Sequence, residues 1–289
     1  MTQRIPIGIC TSPEAAPSVA LGYDHIELSA AAVLVGQNPA FDAVDLAALW
    51  ELCPPVRAFN CFVPGDIRTV GPDVSRDQVA VYAETTIARA AAVGAELIVF
   101  GSGGSRRVPD GCPRSHAWDQ LVWFLGRCAD HAEEHGIVIA IEPLNASECN
   151  ILNSYREGVA MAREVARPDA IKVLVDTWHM AVEEEPLAAI LEAPEWLAHV
   201  HLADSPGRGH PGSGSFAFDR LFSILHEIGY AGRASLECRW PDDATAASAE
   251  ALAVVKPLAG SLARAGGADA PPVSGIWPRQ PPLVCATSA

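Results

Sequence analysis

Four apolar segments of the chain each end in a side chain that can bind a divalent metal ion. The segments are runs of apolar, often β-branched residues, as buried strands are, and the polar residue stands at the carboxyl end of each. In chain order these residues are Glu142, Asp176, His201 and Glu237. In a barrel of alternating strands and helices, the four side chains would converge at one end of the sheet. Because three carboxylates so close together would repel one another without a cation, the pattern predicts a metal site and an enzyme.

Strand-like and helix-like stretches alternate along most of the chain. The predicted strands are 5–10, 24–28, 56–62, 96–101, 137–142, 171–176, 199–203 and 233–238. The predicted helices are 13–21, 42–51, 75–93, 115–135, 154–166, 181–192, 217–228 and 244–264. Near-continuous apolar strands indicate a parallel sheet covered by helices, and eight such units favour a closed (β/α)8 TIM barrel, an α/β fold. We expect one catalytic domain over 1–265 and a loose extension rich in Ala, Pro and Gly over 266–289.

Charge and composition limit the class of protein further. The chain has 289 residues and a formal net charge of −15, which argues against nucleic acid or an anionic membrane surface as a partner. It contains no apolar run near the ~20 residues of a membrane span. Since the amino terminus also lacks the apolar region of a signal peptide, we expect a soluble, cytoplasmic protein. The eight cysteines lack a C-x-x-C pair, which favours free thiols over a disulfide framework.

Three other features lie at or near the predicted mouth of the barrel. His199 and His201 share one face of their strand, because strand side chains alternate, and His199 is expected to support the barrel interior. Glu27 ends the second strand, where it could contact a substrate or make a structural hydrogen bond. The glycine-rich stretch 101–107 could hold an anion through its backbone N–H groups, although a flexible loop is the preferred interpretation.

At these residues the chain resembles the sugar-phosphate isomerase/epimerase group of the xylose-isomerase-like TIM barrels. This group includes the ketose 3-epimerases, hydroxypyruvate isomerase and the inosose-processing enzymes. The matching motifs are I-E-P-L-N from Ile141, V-D-T-x-H-M from Val175, H-x-H-L-A-D from His199, R-x-x-P-G-x-G from Arg208 and L-E-C from Leu236. The resemblance extends over residues 4–260, and its motifs are more specific to the family than to one substrate.

The resemblance implies a role for each matching residue. One divalent ion, often Mn²⁺ in the epimerases with Mg²⁺, Co²⁺ or Zn²⁺ as alternatives, would be held by Glu142, Asp176, His201 and Glu237. The two glutamates of this set would also face each other across the substrate and exchange protons with its carbons. Oxygens of the substrate would be held by Glu148, His179 and Arg208. Hydroxypyruvate isomerase has glutamine where His201 stands, which favours the epimerase-like ligand set.

These features together predict a metal-dependent isomerase or epimerase of a small sugar or keto-polyol. Removing a proton next to a carbonyl creates an enediolate, and a divalent ion can neutralise its charge. As relatives are commonly dimers or tetramers, we expect a homo-oligomer. One alternative is a lyase of the inosose or dehydroshikimate dehydratase type on the same barrel. More remote alternatives are an apurinic-endonuclease-like hydrolase, which would need three zinc ions and a DNA-binding surface, and a metal-free binding protein.

Overall fold

Eight parallel strands close into a barrel in the computed structural model, which describes residues 4–35 and 46–260. The strands pair in chain order, and the first pairs with the last. They are β1 (Ile7–Cys10), β2 (His25–Ser29), β3 (Val56–Asn60), β4 (Leu97–Phe100), β5 (Val138–Ile141), β6 (Ile171–Asp176), β7 (Leu197–Leu202) and β8 (Arg233–Leu236). The predicted (β/α)8 TIM barrel is therefore confirmed. Every residue of β6 is buried, as expected for a strand covered on both faces.

Helices surround the barrel and connect its strands. In the described part of the chain they are α1 (Ala16–Val19), α2 (Ala30–Val33), α3 (Ala47–Trp50), α4 (Arg76–Val93), α5 (Gly103–Arg106), α6 (Arg114–His135), α7 (Tyr155–Val165), α8 (Thr177–Val182), α9 (Phe218–Glu227) and α10 (Ala244–Ala259). Helix α4 begins after Ser75, whose side chain accepts a hydrogen bond from the Gln78 N–H, and ends at Gly94 in the left-handed conformation. Both ends match the helix predicted over 75–93.

The single helix predicted over 181–192 is wrong. Helix α8 starts directly at the end of β6, because Asp176 Oδ1 accepts hydrogen bonds from the N–H groups of Trp178 at 2.7 Å and His179 at 3.1 Å. Pro186 then precedes a separate 3₁₀ helix over Leu187–Glu192. A proline in the middle of a continuous helix would remove a backbone donor and clash with the preceding turn. As a consequence, His179 lies on a helical turn rather than in a loop.

The interior of the barrel has an apolar side and a polar side. Seven inner residues form a separate apolar cluster: Ala58, Leu97, Val99, Val138, Ala140, Leu174 and Ala198. On the other side, β2, β7 and β8 contribute five buried polar side chains: His25, Glu27, His199, His201 and Ser235. Because a buried polar group is costly unless it is hydrogen-bonded, these residues must satisfy one another. They form the floor beneath the candidate site.

Several other predictions concern the chain outside the barrel core. Among residues 4–35 and 46–260, no helix has both the length and the apolar character needed to cross a membrane. The predicted extension over 266–289 and residues 42–45 of the predicted helix 42–51 lie outside the described residues. Cys53 is disulfide-bonded, so the prediction of free thiols is wrong at this position. Sequence spacing does not reveal which cysteines the fold brings close enough to bond.

Candidate metal centre

The four predicted metal ligands meet at the carboxyl ends of β5 to β8. Each offers one ligand atom, and these atoms all lie within 4.8 Å of one another: they belong to Glu142, Asp176, His201 and Glu237. His201 is central, because its Nδ1 lies 3.3 Å from Glu142 Oε1 and 3.0 Å from Glu237 Oε2. The strand register places Asp176 directly beside His201 on neighbouring strands. The structure therefore brings together the residues that sequence spacing had placed at four separate strand ends.

Neighbouring groups fix the orientation of each carboxylate. Asp176 uses Oδ1 to cap α8, so its Oδ2 remains for the cluster. Glu237 Oε1 accepts a hydrogen bond from Asn60 Nδ2 at 2.9 Å, which leaves Oε2 beside His201. Glu142 Oε2 lies against Gly101, where a Cβ atom would come within 2.1 Å of that oxygen. A side chain at position 101 would therefore force the Glu142 carboxylate to move.

The chemistry of this donor set fits a divalent metal ion. Three carboxylates and one imidazole share a largely buried space, and no thiol belongs to the four-residue set. Oxygen ligands with one imidazole suit ions such as Mn²⁺, Mg²⁺ or Co²⁺. An ion there would also offset the mutual repulsion of the carboxylates. The four residues thus have both the spacing and the chemistry that the sequence motifs predict.

The surrounding charges shift the pKa values of Glu142 and Glu237 in opposite directions. Burial, together with the nearby Glu237 carboxylate, raises the pKa of Glu142. Burial alone would also raise the pKa of Glu237, but His201 and Arg208 lower it to about 2. For His201, burial opposes the charged form, yet the carboxylates of Glu27 and Glu237 hold its pKa well above the usual value. Two glutamates in one site therefore differ in proton affinity, which is a common arrangement for acid–base pairs.

His179 points an unsatisfied donor into the site. Its Nδ1 accepts hydrogen bonds from the Asn145 N–H at 3.1 Å and from Asn145 Nδ2 at 2.9 Å, so the ring proton lies on Nε2. That Nε2 is buried and has no hydrogen-bond partner among the described residues. It lies 3.9 Å from Asp176 Oδ2 and 4.0 Å from Glu148 Oε2, beyond hydrogen-bond distance. A buried N–H without a partner beside the candidate metal site is suited to bind a substrate oxygen.

Glu148 and Arg208 lie above the same space. Arg208 Nη2 lies 3.1 Å from Asp176 Oδ2 and 2.5 Å from Glu237 Oε2, and its guanidinium stacks 5.0 Å from the centroid of the Trp178 ring. Glu148 is more exposed, and its Oε1 lies 3.9 Å from Arg208 Nη1. Glu148 thus lies 4.0 Å from His179 and 3.9 Å from Arg208, so the three predicted substrate contacts are neighbours.

Asp204 organises the loop that carries Arg208. Its Oδ1 accepts hydrogen bonds from the N–H groups of Ser205 and Phe216, each at 2.8 Å. Its Oδ2 accepts from Gly212 and Gly214, each at 2.9 Å. Asp204 itself is 2% exposed, so the loop over 204–216 is folded around one buried carboxylate. Asp204 belongs to the H-x-H-L-A-D motif, but the spacing of that motif alone did not predict a role for Asp204.

Replacing Asp204 by alanine is expected to reduce kcat/KM by about 10²-fold, because loosening the loop by roughly an ångström would misplace Arg208. The measurement is steady-state kinetics with the ketose into which the protein exchanges deuterium from D₂O. Asp219→Ala, which removes an exposed acid at the start of α9, is the matched control and should leave kcat/KM unchanged. Equal kinetics for Asp204→Ala and the wild type would show that the loop keeps its shape without this carboxylate.

Sequence reasoning missed the role of Arg106. Part of the stretch 101–107 is helical rather than a loop, because α5 occupies Gly103–Arg106, and Arg106 is fully buried. Arg106 donates from Nη1 to the carbonyl of Phe100 at 2.8 Å and from Nη2 to that of Glu142 at 2.7 Å. The arginine therefore joins the ends of β4 and β5 beneath a candidate ligand. An arginine in a glycine-rich segment resembles a surface residue in the sequence, and its acceptors are known only once the barrel is closed.

The fold and the site together define the family. The chain belongs to the xylose isomerase-like TIM barrel family, whose model matches residues 16–258.

Several relatives carry informative names. A ketose 3-epimerase of Arthrobacter globiformis is 40% identical over 109 residues, which is 37% of this chain and 37% of that protein. An L-ribulose 3-epimerase of Methylomonas sp. is 41% identical over 117 residues, which is 40% of each chain. The matched stretches thus span about two fifths of these relatives. A crystal structure of D-allulose 3-epimerase from Methylomonas sp. has a TM-score of 0.75 and 23% identity, covering 89% of this chain and 98% of that one, which shows a shared fold.

Proposed function

We propose that this protein is a divalent-metal-dependent sugar epimerase that inverts the carbon next to the carbonyl group of a small ketose. The observation that carries the proposal is the meeting of four ligand atoms within 4.8 Å of one another. The orphaned N–H of His179 beside them supports a polyhydroxy substrate. The names of the relatives, ketose 3-epimerase and L-ribulose 3-epimerase, favour epimerisation over the dehydratase and endonuclease alternatives.

Two glutamates provide the proton transfer that epimerisation requires. Inverting a carbon needs a base that removes its proton from one face and an acid that returns a proton to the other face. Glu142 follows β5 and Glu237 follows β8, so they approach the space above His201 from different sides of the barrel. Their pKa values are moved in opposite directions, with Glu142 raised and Glu237 lowered. In this proposal each glutamate serves as base for one epimer and as acid for the other.

The remaining residues hold the ion and the sugar. Glu142, Asp176, His201 and Glu237 would hold the ion, for which we propose Mn²⁺. When bound, the ion supplies positive charge that stabilises the enediolate formed when the proton leaves. Glu148, His179 and Arg208 would orient the hydroxyl and carbonyl oxygens of the substrate. Asp176 already uses one oxygen as a helix cap, so it is proposed as a ligand without a role in proton transfer.

Solvent-isotope exchange tests this proposal directly. The Mn²⁺-loaded protein is incubated in D₂O with separate samples of psicose, fructose, tagatose, ribulose, inososes and hydroxypyruvate, and the products are followed by NMR. We expect deuterium at the carbon next to the carbonyl of one ketose, together with its epimer. Mn²⁺ without protein is the control, because metal ions and base can enolise sugars slowly.

The other outcomes separate the alternatives. Loss of water with a new ultraviolet absorbance would identify a dehydratase, and deuterium at two adjacent carbons with aldose formation would identify an aldose–ketose isomerase. Either would replace the proposed epimerase. Absence of exchange with every ketone would contradict the whole mechanism.

A further inference from the structure

Glu27 lies under the candidate metal centre and contacts two imidazoles. Its side chain points into the barrel interior and is fully buried. Its Oε1 lies 2.8 Å from His201 Nε2, and its Oε2 lies 2.9 Å from His199 Nε2. Both carboxylate oxygens therefore have a partner inside the barrel. Glu27 consequently has no exposed oxygen with which to contact a substrate. Of the two roles that the sequence left open for Glu27, its position supports the structural hydrogen bond.

The geometry determines which nitrogen of His201 faces the ion. An ionised carboxylate accepts hydrogen bonds and cannot donate them, so His201 must donate its Nε2–H to Glu27. The other nitrogen, Nδ1, is the one that lies near Glu142 Oε1 and Glu237 Oε2. With its Nε2 proton held by Glu27, the ring presents Nδ1 rather than Nε2 to a metal ion. The carboxylate also hinders rotation of the ring, which would place the wrong nitrogen toward the cluster.

Further hydrogen bonds hold Glu27 in place. His199 Nε2 lies 3.2 Å from Ser235 Oγ, and this hydroxyl lies 3.1 Å from His25 Nε2. Gly8 provides the space for His25, because a Cβ at that position would lie 2.2 Å from His25 Nε2. The resulting chain runs through the barrel from His25 to His201. It restrains the carboxylate that in turn restrains the proposed metal ligand.

We propose that Glu27 is a positioning residue of the metal centre, which fixes His201 so that Nδ1 rather than Nε2 binds the ion. This inference rests on the metal site in the proposed function. A carboxylate behind a metal-binding histidine sets the ring orientation and increases the basicity of the ligand nitrogen. Glu27 would therefore affect the affinity for the ion without touching either the ion or the sugar.

Metal affinity provides the first test. Mn²⁺ binding is measured by electron paramagnetic resonance of the free ion for the wild type, Glu27→Gln and Ser235→Ala. We expect Glu27→Gln to weaken the affinity for Mn²⁺ by about 10–100-fold. A glutamine has a single oxygen, so it can accept from one imidazole while its NH₂ group faces the other. Ser235→Ala is the matched control: it breaks the hydrogen-bonded chain beyond His199 but keeps both Glu27 contacts, so it should weaken Mn²⁺ binding far less than Glu27→Gln does.

A double-mutant cycle distinguishes positioning from a general effect on the fold. His201→Gln replaces the ring with a side chain that has no tautomer to fix. If Glu27 acts through His201, adding Glu27→Gln to this variant should cause little further loss of Mn²⁺ affinity. Independent losses that multiply in the double variant would overturn the inference. Circular dichroism and thermal unfolding of each variant show whether the barrel is intact.

A spectroscopic test requires no variant. The wild type is labelled with ¹⁵N-histidine and loaded with ¹¹³Cd²⁺, a diamagnetic ion, so that coupling between metal and nitrogen identifies the ligand atom. We expect coupling to Nδ1 of His201 and a retained proton on Nε2. Coupling to Nε2 would overturn the inference. Failure of the wild type to bind either Mn²⁺ or Cd²⁺ would instead contradict the proposed function, whereas equal Mn²⁺ binding by wild type and Glu27→Gln would contradict this inference alone.

Discussion

Replacing either Glu142 or Glu237 by glutamine is expected to lower the turnover number by about 10²–10⁴-fold, the usual contribution of a general acid or base. A glutamine can still offer an oxygen to the ion, but it cannot exchange a proton with a carbon. Asp176→Asn is the matched control, because Asp176 is proposed as a ligand alone. Once Mn²⁺ saturates each variant, Asp176→Asn should recover far more of its turnover than the two glutamine variants. Steady-state kinetics across a Mn²⁺ titration makes this comparison.

Isotope exchange sharpens the same prediction. If the glutamates act on opposite faces, a variant that lacks one of them can still remove the proton from one epimer. Glu142→Gln and Glu237→Gln should therefore each exchange deuterium into a different epimer without converting it. Loss of exchange with both epimers in one variant, with exchange retained in the other, would favour a single-base shuttle. Full epimerisation by either variant would remove that glutamate from the proposed mechanism.

The strands were predictable because a parallel barrel requires them to be apolar on both faces. The run ending at Asp176 illustrates this, since its predicted and observed bounds coincide at Ile171–Asp176. The site followed from the same rule: a polar residue at the carboxyl end of such a run lies at the mouth of the barrel. The same reasoning applies to Asn60, which ends β3 and donates to Glu237, although the sequence analysis did not identify it.

Contacts across the barrel were not predictable from spacing. Glu27 lies on β2 and His201 on β7, which do not pair with each other in the sheet. The sequence placed both at strand ends, but closure of the barrel decides whether Glu27 faces a substrate or an imidazole. Helix α8 was missed for a more local reason. The same residue, Asp176, is both a proposed ligand and a helix cap, and the sequence pattern indicated the first role alone.

Arg106→Ala is expected to lower the free energy of unfolding by about 3–5 kcal/mol, because it removes a large buried side chain and two hydrogen-bond donors. Arg106 is fully buried, and among residues 4–35 and 46–260 its two Nη atoms donate to backbone carbonyls rather than to a carboxylate. Its charge is accommodated by the carbonyls of Phe100 and Glu142 and by the Phe100 ring, whose centroid lies 5.5 Å from the guanidinium carbon. Urea unfolding followed by circular dichroism measures the change.

The neighbouring Arg107 provides the control for this prediction. It is exposed, and among the described residues its side chain donates one hydrogen bond, to the Glu148 carbonyl at 3.1 Å, so Arg107→Ala should cost less than about 1 kcal/mol. Arg106→Met separates packing from hydrogen bonding, since it retains much of the volume but supplies no donor. If the hydrogen bonds dominate, the methionine variant should also be destabilised, by about 1–3 kcal/mol for the unsatisfied carbonyl of Glu142. If it is as stable as the wild type, desolvation of the guanidinium cancels what its hydrogen bonds contribute. Arg106 would then hold the backbone of Glu142 beside the candidate metal centre without stabilising the barrel.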